Sequence, residues 1–403
     1  MKNPFSIAFA TGSRADYGIV RNYLRLLDSD ERISLSILVT GSLLSEKYAH
    51  QVELIYQDGF KIDAEINIDL DSSSNAAVTH SMAVALDGFG RFFATKRYDL
   101  LIILGDRFEM LSVATAAAIQ RIPILHLHGG EATFGNYDEF IRHCITKMAT
   151  YHFAATEEYR RRVIQLGEHP SRVFYLGALG AENCMNIQES EVPEKVKDLA
   201  KGKYFVVLFH PETLTGASTL SQINELLAAI EAVQGFQFVF LGSNADTHSD
   251  IIRDRVYSFV QEHDNALYYE NLPTCGYHYL LKNSLGLVGN SSSGLIEAPS
   301  LGIYTVNIGE RQAGRVRGNS VLDVACKKDE IYTAIESLIQ RNGKGKIYNP
   351  YYRENAASNY YNQTLAILNG LARDNYHPKV FFDIHWKDGE DSMLSFRNAT
   401  NVR

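Results

Sequence analysis

The chain has 403 residues, which at roughly 150 per domain sets an expectation of two to three domains. It carries 39 Lys+Arg against 47 Asp+Glu, a formal net charge of -8, with 45% apolar and 21% charged residues. This balance excludes a disordered chain, a collagen-like repeat and a nucleic-acid binder that needs a basic footprint, but not a phosphate ligand held by a local site.

In chain order, Met1-Lys2-Asn3-Pro4 leads into apolar residues 5–10 and then at once into polar Thr11, Gly12, Ser13 and Arg14. That run is too short for a secretory leader and reads as a first strand. Further short β-rich runs stand at 35–39, 100–104, 122–127, 152–155 and 173–176. A second series follows at 204–209, 237–241, 267–269, 285–288 and 304–308. Continuous apolar strands alternating with helical segments predict an α/β chain with parallel sheets covered on both faces. Residues 183–203 are charged, contain Pro193 and lack an apolar run, so they read as a linker. The expected units are 1–182, 203–375 and a tail, 376–403, that holds the only tryptophan, Trp386.

No stretch approaches the roughly 18 apolar residues of a membrane span. Cys144, Cys184, Cys275 and Cys326 form no CxxC pair, which leaves no basis for a disulfide framework or a zinc knuckle. Asn398-Ala399-Thr400 matches a glycosylation acceptor by chance, and a cytoplasmic protein is expected.

Polar loops follow the strands: Thr11 to Gly18, Gly105-Asp106-Arg107-Phe108-Glu109, His128-Gly129-Gly130-Glu131, His210-Pro211-Glu212-Thr213, Gly242-Ser243-Asn244 and Gly289-Asn290-Ser291-Ser292-Ser293-Gly294. Open α/β sheets bind ligands outside these carboxyl ends, so two such edges facing each other would form an interdomain cleft. The first loop lacks the three-glycine spacing of a dinucleotide fingerprint and the chain has no GxxxxGK[ST], which argues against nicotinamide and ATP. Arg14 fits an anion at a helix start, or a surface arginine beside a turn. The serines 291–293 fit an anion site or a simple cap. Glu297, expected on the first turn of the next helix, fits ribose hydroxyls or a helix dipole. Arg311, Arg315 and Arg317 could neutralise a diphosphate, or in part be solvated.

Asp106 ends a strand, where an acid can serve as an N-cap. His126 and His128, two apart, are expected on one face; with Glu131 they lack a third histidine at metal-ligand spacing. Asp138 and Glu139 open a helix in which Asp138–Arg142 and Glu139–His143 are possible i,i+4 pairs. His210 before Pro211 is kept from helical continuation, and is either a site residue or a satisfied histidine.

Together these segments resemble the hydrolysing UDP-N-acetylglucosamine 2-epimerases, of the bacterial sialic acid capsule type. The specific stretches are 104–108, 126–131, 136–147, 156–168, 209–214 and 289–299, in one order, and the similarity thins after about Tyr376. The resemblance implies two Rossmann-like doubly wound domains in a glycosyltransferase-B arrangement, with UDP-N-acetylglucosamine in the cleft and UDP as product. It implies neither a metal nor a nicotinamide cofactor, and a homodimer. Arg14, His210, Ser291, Ser292, Glu297 and Arg311 match nucleotide- and phosphate-binding positions, and Arg107 joins that group. Asp106, Asp138 and His210 match positions used in chemistry. Relatives often place a catalytic glutamate where this chain has His128, with Glu131 three residues on, so the glutamate's role falls to one of the two.

The C2 hydrogen of the sugar is not acidic, since no carbonyl is adjacent. The route the resemblance implies is anti elimination of UDP to 2-acetamidoglucal and syn addition of water, giving N-acetylmannosamine. Asp106, Glu131 and Asp138 would divide the proton transfers, with a carboxyl pKa raised in the partly dry cleft. His210 and Arg311 would stabilise the departing diphosphate. Alternatives are a retaining UDP-sugar glycosyltransferase, a 2-epimerase of UDP-2,4-diacetamido-2,4,6-trideoxyhexose, and a non-catalytic nucleotide-sugar sensor.

Overall fold

The computed structural model describes residues 3–46, 50–134, 137–212, 218–242, 249–270, 272–341, 346–371 and 379–384. Thr213, the Ser243-Asn244 loop, Trp386 and Asn398 lie outside the described residues. The first sheet contains β1 (Phe5–Thr11), β2 (Ile33–Val39), β3 (Ile62–Glu65), β4 (Leu100–Leu104), β5 (Ile124–Leu127), β6 (Tyr151–Ala154) and β7 (Val173–Tyr175). The second contains β8 (Tyr204–Leu208), β9 (Gln237–Leu241), β10 (Ala266–Tyr269), β11 (Leu287–Gly289), β12 (Thr305–Ile308) and β13 (Val321–Val324). Every neighbouring pair is parallel, in the orders β3-β2-β1-β4-β5-β6-β7 and β10-β9-β8-β11-β12-β13.

The central strands explain this arrangement. Leu100–Leu104 is buried at all five positions, because helices cover both faces of a parallel sheet. Each sheet reverses its winding once, between β1 and β4 and between β8 and β11, and the loops at these reversals form the ligand crevice of an open α/β sheet. The fold is α/β, two Rossmann-like sheets of the glycosyltransferase-B kind.

The chain does not divide at the expected boundaries throughout. The segment 183–203 is built into the second unit: Val192 and Val196, four apart, seat the helix Glu194–Leu199 in the core beside β8 and β11. The helix Ala356–Gly370, grouped by sequence with 203–375, packs instead on the first sheet through Ala356, Tyr360, Ile367 and Leu368. Tyr360 donates to Gly177 O at 2.8 Å, and Tyr23 and Thr364 share a hydrogen bond of 2.7 Å. In the described part of the tail, Lys379 donates to Lys147 O and Ala149 O, each at 2.7 Å, and so caps the helix Asp138–Met148. No helix among the described residues is long and apolar enough to cross a membrane.

Candidate active site

At the β1/β4 reversal, Ser13 caps the helix Arg14–Asp28, accepting from Asp16 N at 3.2 Å. Arg14 stands at that helix start, its guanidinium pKa pulled down by burial. Position 12 must be glycine, because a Cβ there would overlap the Glu109 carboxylate. Glu109 is fully buried and accepts from Arg107 Nε at 2.5 Å. Burial raises the Asp16 carboxyl pKa against the pull of Arg107.

Asp106 follows β4 and pairs with Arg142. Arg142 is 1% exposed and also donates to Thr133 Oγ1 at 2.7 Å, to Glu131 O at 3.0 Å and to Glu139 Oε2 at 3.4 Å. One guanidinium thus fixes the loop after β4, the loop after β5 and the start of the helix Asp138–Met148. The i,i+4 geometry predicted Asp138 for Arg142; the long side chain instead turns to Asp106 and Glu139. The Glu139–His143 pair is present at 3.2 Å. Asp138 opens the helix and lies near enough to Arg315 to favour its charged form.

His126 is satisfied at both ring nitrogens, by Gly105 O at 2.8 Å and Thr146 Oγ1 at 3.1 Å. Burial lowers its pKa to about 3, so it is a neutral structural histidine. Strand β5 ends at Leu127 and His128 adopts a φ of +63°, so the alternation that would place both histidines on one face stops before His128. His128 Nδ1 lies 3.4 Å from Glu131 Oε1, and Arg315 Nη1 lies 3.1 Å from Glu131 Oε2. Burial pushes the Glu131 carboxyl up, yet Arg315 and then His128 prevail and hold it below its ordinary value. The expectation of a raised carboxyl pKa therefore fails at Glu131, because its pocket supplies a cation.

At the β8/β11 reversal, His210 and Asn290 exchange two bonds: His210 N donates to Asn290 Oδ1 at 2.7 Å, and Asn290 Nδ2 donates to His210 O at 2.9 Å. Gly289, with φ +145°, brings this loop against the Leu208 backbone, where a Cβ would clash. Asn290 O accepts from Arg311 Nη1 at 3.2 Å and from Gln312 Nε2 at 2.8 Å. Buried Glu212 accepts from Glu310 N at 2.8 Å and Arg311 N at 3.1 Å, fixing the loop after β12.

The helix after Ser292 is one turn, Ser293–Ile296, so Glu297 is its C-cap and not on its first turn; favourable dipole pairing is therefore ruled out. Glu297 accepts from Ser293 Oγ, which also meets Tyr277 OH, and stands 3.7 Å from His278 Nε2. Ser291 Oγ accepts from Ser293 N at 3.4 Å, and the Ser292 hydroxyl makes no cap bond. Of the three arginines, only Arg311 stays with the Asn290 loop. Arg315 crosses to Glu131 and to Ala132 O at 3.2 Å, and Arg317 pairs with Asp323. Arg315 is largely buried, while Arg317 is partly solvated. Arg142, Asn290 and Glu212 organise both loops; the sequence places Asn290 and Glu212 in strand-end loops and Arg142 on a helix, but gives none of them this role.

Two parallel sheets, with acids and arginines at one reversal and histidine, serines and an asparagine at the other, define an α/β protein of the glycosyltransferase-B fold class. A model of the UDP-N-acetylglucosamine 2-epimerase family matches residues 25–364, and the chain belongs to that family of enzymes. It is 45% identical over 390 residues to the polysialic acid biosynthesis protein P7 of Escherichia coli, covering 94% of this chain and 97% of that one. It is 34% identical over 343 residues to the UDP-N,N'-diacetylbacillosamine 2-epimerase (hydrolyzing) of Legionella pneumophila, covering 83% and 89%. The Neisseria meningitidis UDP-GlcNAc 2-epimerase solved with UDP-GlcNAc shares the fold, with a TM-score of 0.75 at 17% identity over 90% of this chain and 100% of that one.

Proposed function

We propose that the chain is a cytoplasmic hydrolysing 2-epimerase that converts UDP-N-acetylglucosamine and water into N-acetylmannosamine and UDP, feeding sialic acid synthesis. A base takes the C2 proton, the C–H electron pair becomes the C1–C2 double bond, and the C1–O bond breaks to release UDP. Water then adds its hydroxyl at C1 while an acid protonates C2 on the opposite face. Configuration inverts by loss and return of a proton, with no redox step.

The observation that carries this reading is the set of ionisable groups on Arg142 and Arg315: Asp106 and Glu131, with Asp138 and His128 beside them. Proton transfer falls to this group in the proposal. His210, Arg311, Arg14, Arg107, Ser291, Ser292 and Glu297 bind the uridine diphosphate, with His210 and Arg311 on the leaving group. The working assembly in this reading is a homodimer.

Incubation with UDP-N-acetylglucosamine in deuterium oxide, followed by NMR, tests the proposal. The expected result is free UDP and N-acetylmannosamine with deuterium at C2. Product without label overturns the elimination route, and absence of N-acetylmannosamine overturns the assignment. The Legionella relative makes the diacetamido-trideoxyhexose nucleotide the second substrate to assay. A higher kcat/KM on it would transfer the reading to that sugar.

A further inference from the structure

The loop after β5 holds a histidine that is set up differently from its neighbour. His126 has both ring nitrogens engaged. His128 Nδ1 lies 3.4 Å from Glu131 Oε1, an ion-pair approach in which no hydrogen bond has formed, and both that oxygen and His128 Nε2 are buried without a hydrogen-bond partner among the described residues. A buried imidazole nitrogen left unpaired is costly, and a ligand that pairs it recovers that cost. The residue also stands in the left-handed region, at φ +63°, where a side chain with a Cβ is strained. Its own N–H donates to Phe153 O at 2.8 Å, which fixes the backbone where the strain is held.

The tautomer follows from the partners. Glu131 Oε2 faces the Arg315 guanidinium at 3.1 Å, so the carboxylate is ionised and can only accept. An acceptor opposite Nδ1 selects the form with hydrogen on Nδ1, which leaves the lone pair on Nε2. That is the form of a general base. The 3.4 Å separation is an ion-pair distance that shortens once the ring is cationic. Arg315 comes from the loop after β12, so the second unit supplies the charge that fixes a histidine of the first.

We infer that His128 Nε2 is the base that takes the C2 proton, and that Glu131 is a positioning residue that sets its tautomer and stabilises the imidazolium. This rests on the proposed epimerase reading. In the step, the C2–H bond breaks and a new N–H bond forms at Nε2, and the C–H electron pair forms the C1–C2 double bond as UDP departs with the C1–O pair. Release of that proton to solvent resets the ring. Asp106 and Asp138 then remain for the return of a proton to C2.

The test combines kinetics with nitrogen-15 NMR of histidine-labelled enzyme. His128→Gln should lower kcat by 100-fold or more with KM changed less than about threefold, and UDP affinity by calorimetry should move no further. Glu131→Gln should lower kcat by roughly 10-fold or more, up to the ~10⁴ seen when an orienting carboxylate is neutralised, also with little change in KM. The signal lost in His128→Gln identifies the residue. In the wild type it should report hydrogen on Nδ1, and in Glu131→Gln it should move toward the other tautomer. Wild-type turnover with His128→Gln within threefold of it, or a wild-type signal with hydrogen on Nε2, overturns the inference. Unchanged kcat in Glu131→Gln overturns the positioning role. If the wild type releases no UDP, the epimerase reading falls, while the NMR signal still decides the tautomer.

Discussion

At the β1/β4 reversal and beside it, loops are fixed by ion pairs: Asp106 and Glu139 to Arg142, Glu131 to Arg315, and Glu109 to Arg107. At the β8/β11 reversal hydrogen bonds organise the loops: Asn290 binds His210 and accepts from Arg311, Ser293 meets Tyr277 and Glu297, and Glu212 takes backbone N–H groups. The difference has a physical consequence. Buried ion pairs fix the place of these carboxylates, and a group that moves a proton must be held within hydrogen-bond reach of it. Amides, hydroxyls and backbone donors offer directional bonds to a polar ligand, and in the proposed reading Arg311 adds the charge for the diphosphate. Arg315 joins the two regions, so the charge state of the first depends on the seating of the second.

The largest expected effect breaks the ionic side. Arg142→Leu leaves Asp106 and Glu139 without their buried cation, and removing one partner of a buried pair costs about 3–5 kcal/mol. Chemical denaturation should show the loss, and a midpoint near wild type would refute the claim that one guanidinium holds three segments. A smaller effect tests the far end of the helix Asp138–Met148, where Glu168 meets His152 at 3.1 Å, Lys147 at 2.8 Å and Lys379 at 2.7 Å. Burial pushes this carboxyl up, but these partners bring it from 4.5 to about 2. A depressed carboxyl contributes stability that is full above pH 4.5 and is lost as pH falls toward about 2. The contribution is on the order of 3 kcal/mol. Denaturation midpoints of wild type and Glu168→Gln should therefore converge across that window; parallel curves would count against the network.

How far the sequence reaches is clearest at the sheet edges. Eleven strands stand out as apolar runs, including the edge strands β7 and β10, which carry no acid. The two that escape, β3 (IDAE) and β13 (VLDV), are edge strands, partly exposed and interrupted by acids. The helix Ala356–Gly370 packs on the first sheet, and nothing local in the chain says which sheet it covers. In the candidate site, Asp106, Asp138 and His210 are legible because strand ends and helix starts follow from the chain itself. The partners of Arg142 and Arg315 are not: Arg142 reaches back 36 positions to Asp106, and Arg315 reaches back across both sheets to Glu131. Glu297 misleads for a simpler reason, since a four-residue helix turns an expected first-turn acid into a C-cap.

The smallest effect sharpens the hydrogen-bonded side. Asn290→Ala removes both bonds to His210 and leaves that residue's buried N–H and C=O without the side chain that satisfies them. An unsatisfied buried group costs about 1–3 kcal/mol. Because β8 and β11 are held together elsewhere by their own ladder, from Val206 to Leu208, most of this loss should fall on the loop and not on the sheet. UDP affinity measured by calorimetry should then weaken by roughly 5- to 150-fold, the same energy read through tenfold per 1.4 kcal/mol. Glu131→Gln, on the ionic side, should leave UDP affinity within about threefold while kcat falls. If both variants weaken UDP alike, the two regions do not divide recognition from proton transfer, and the nucleotide must lean on the acids as well.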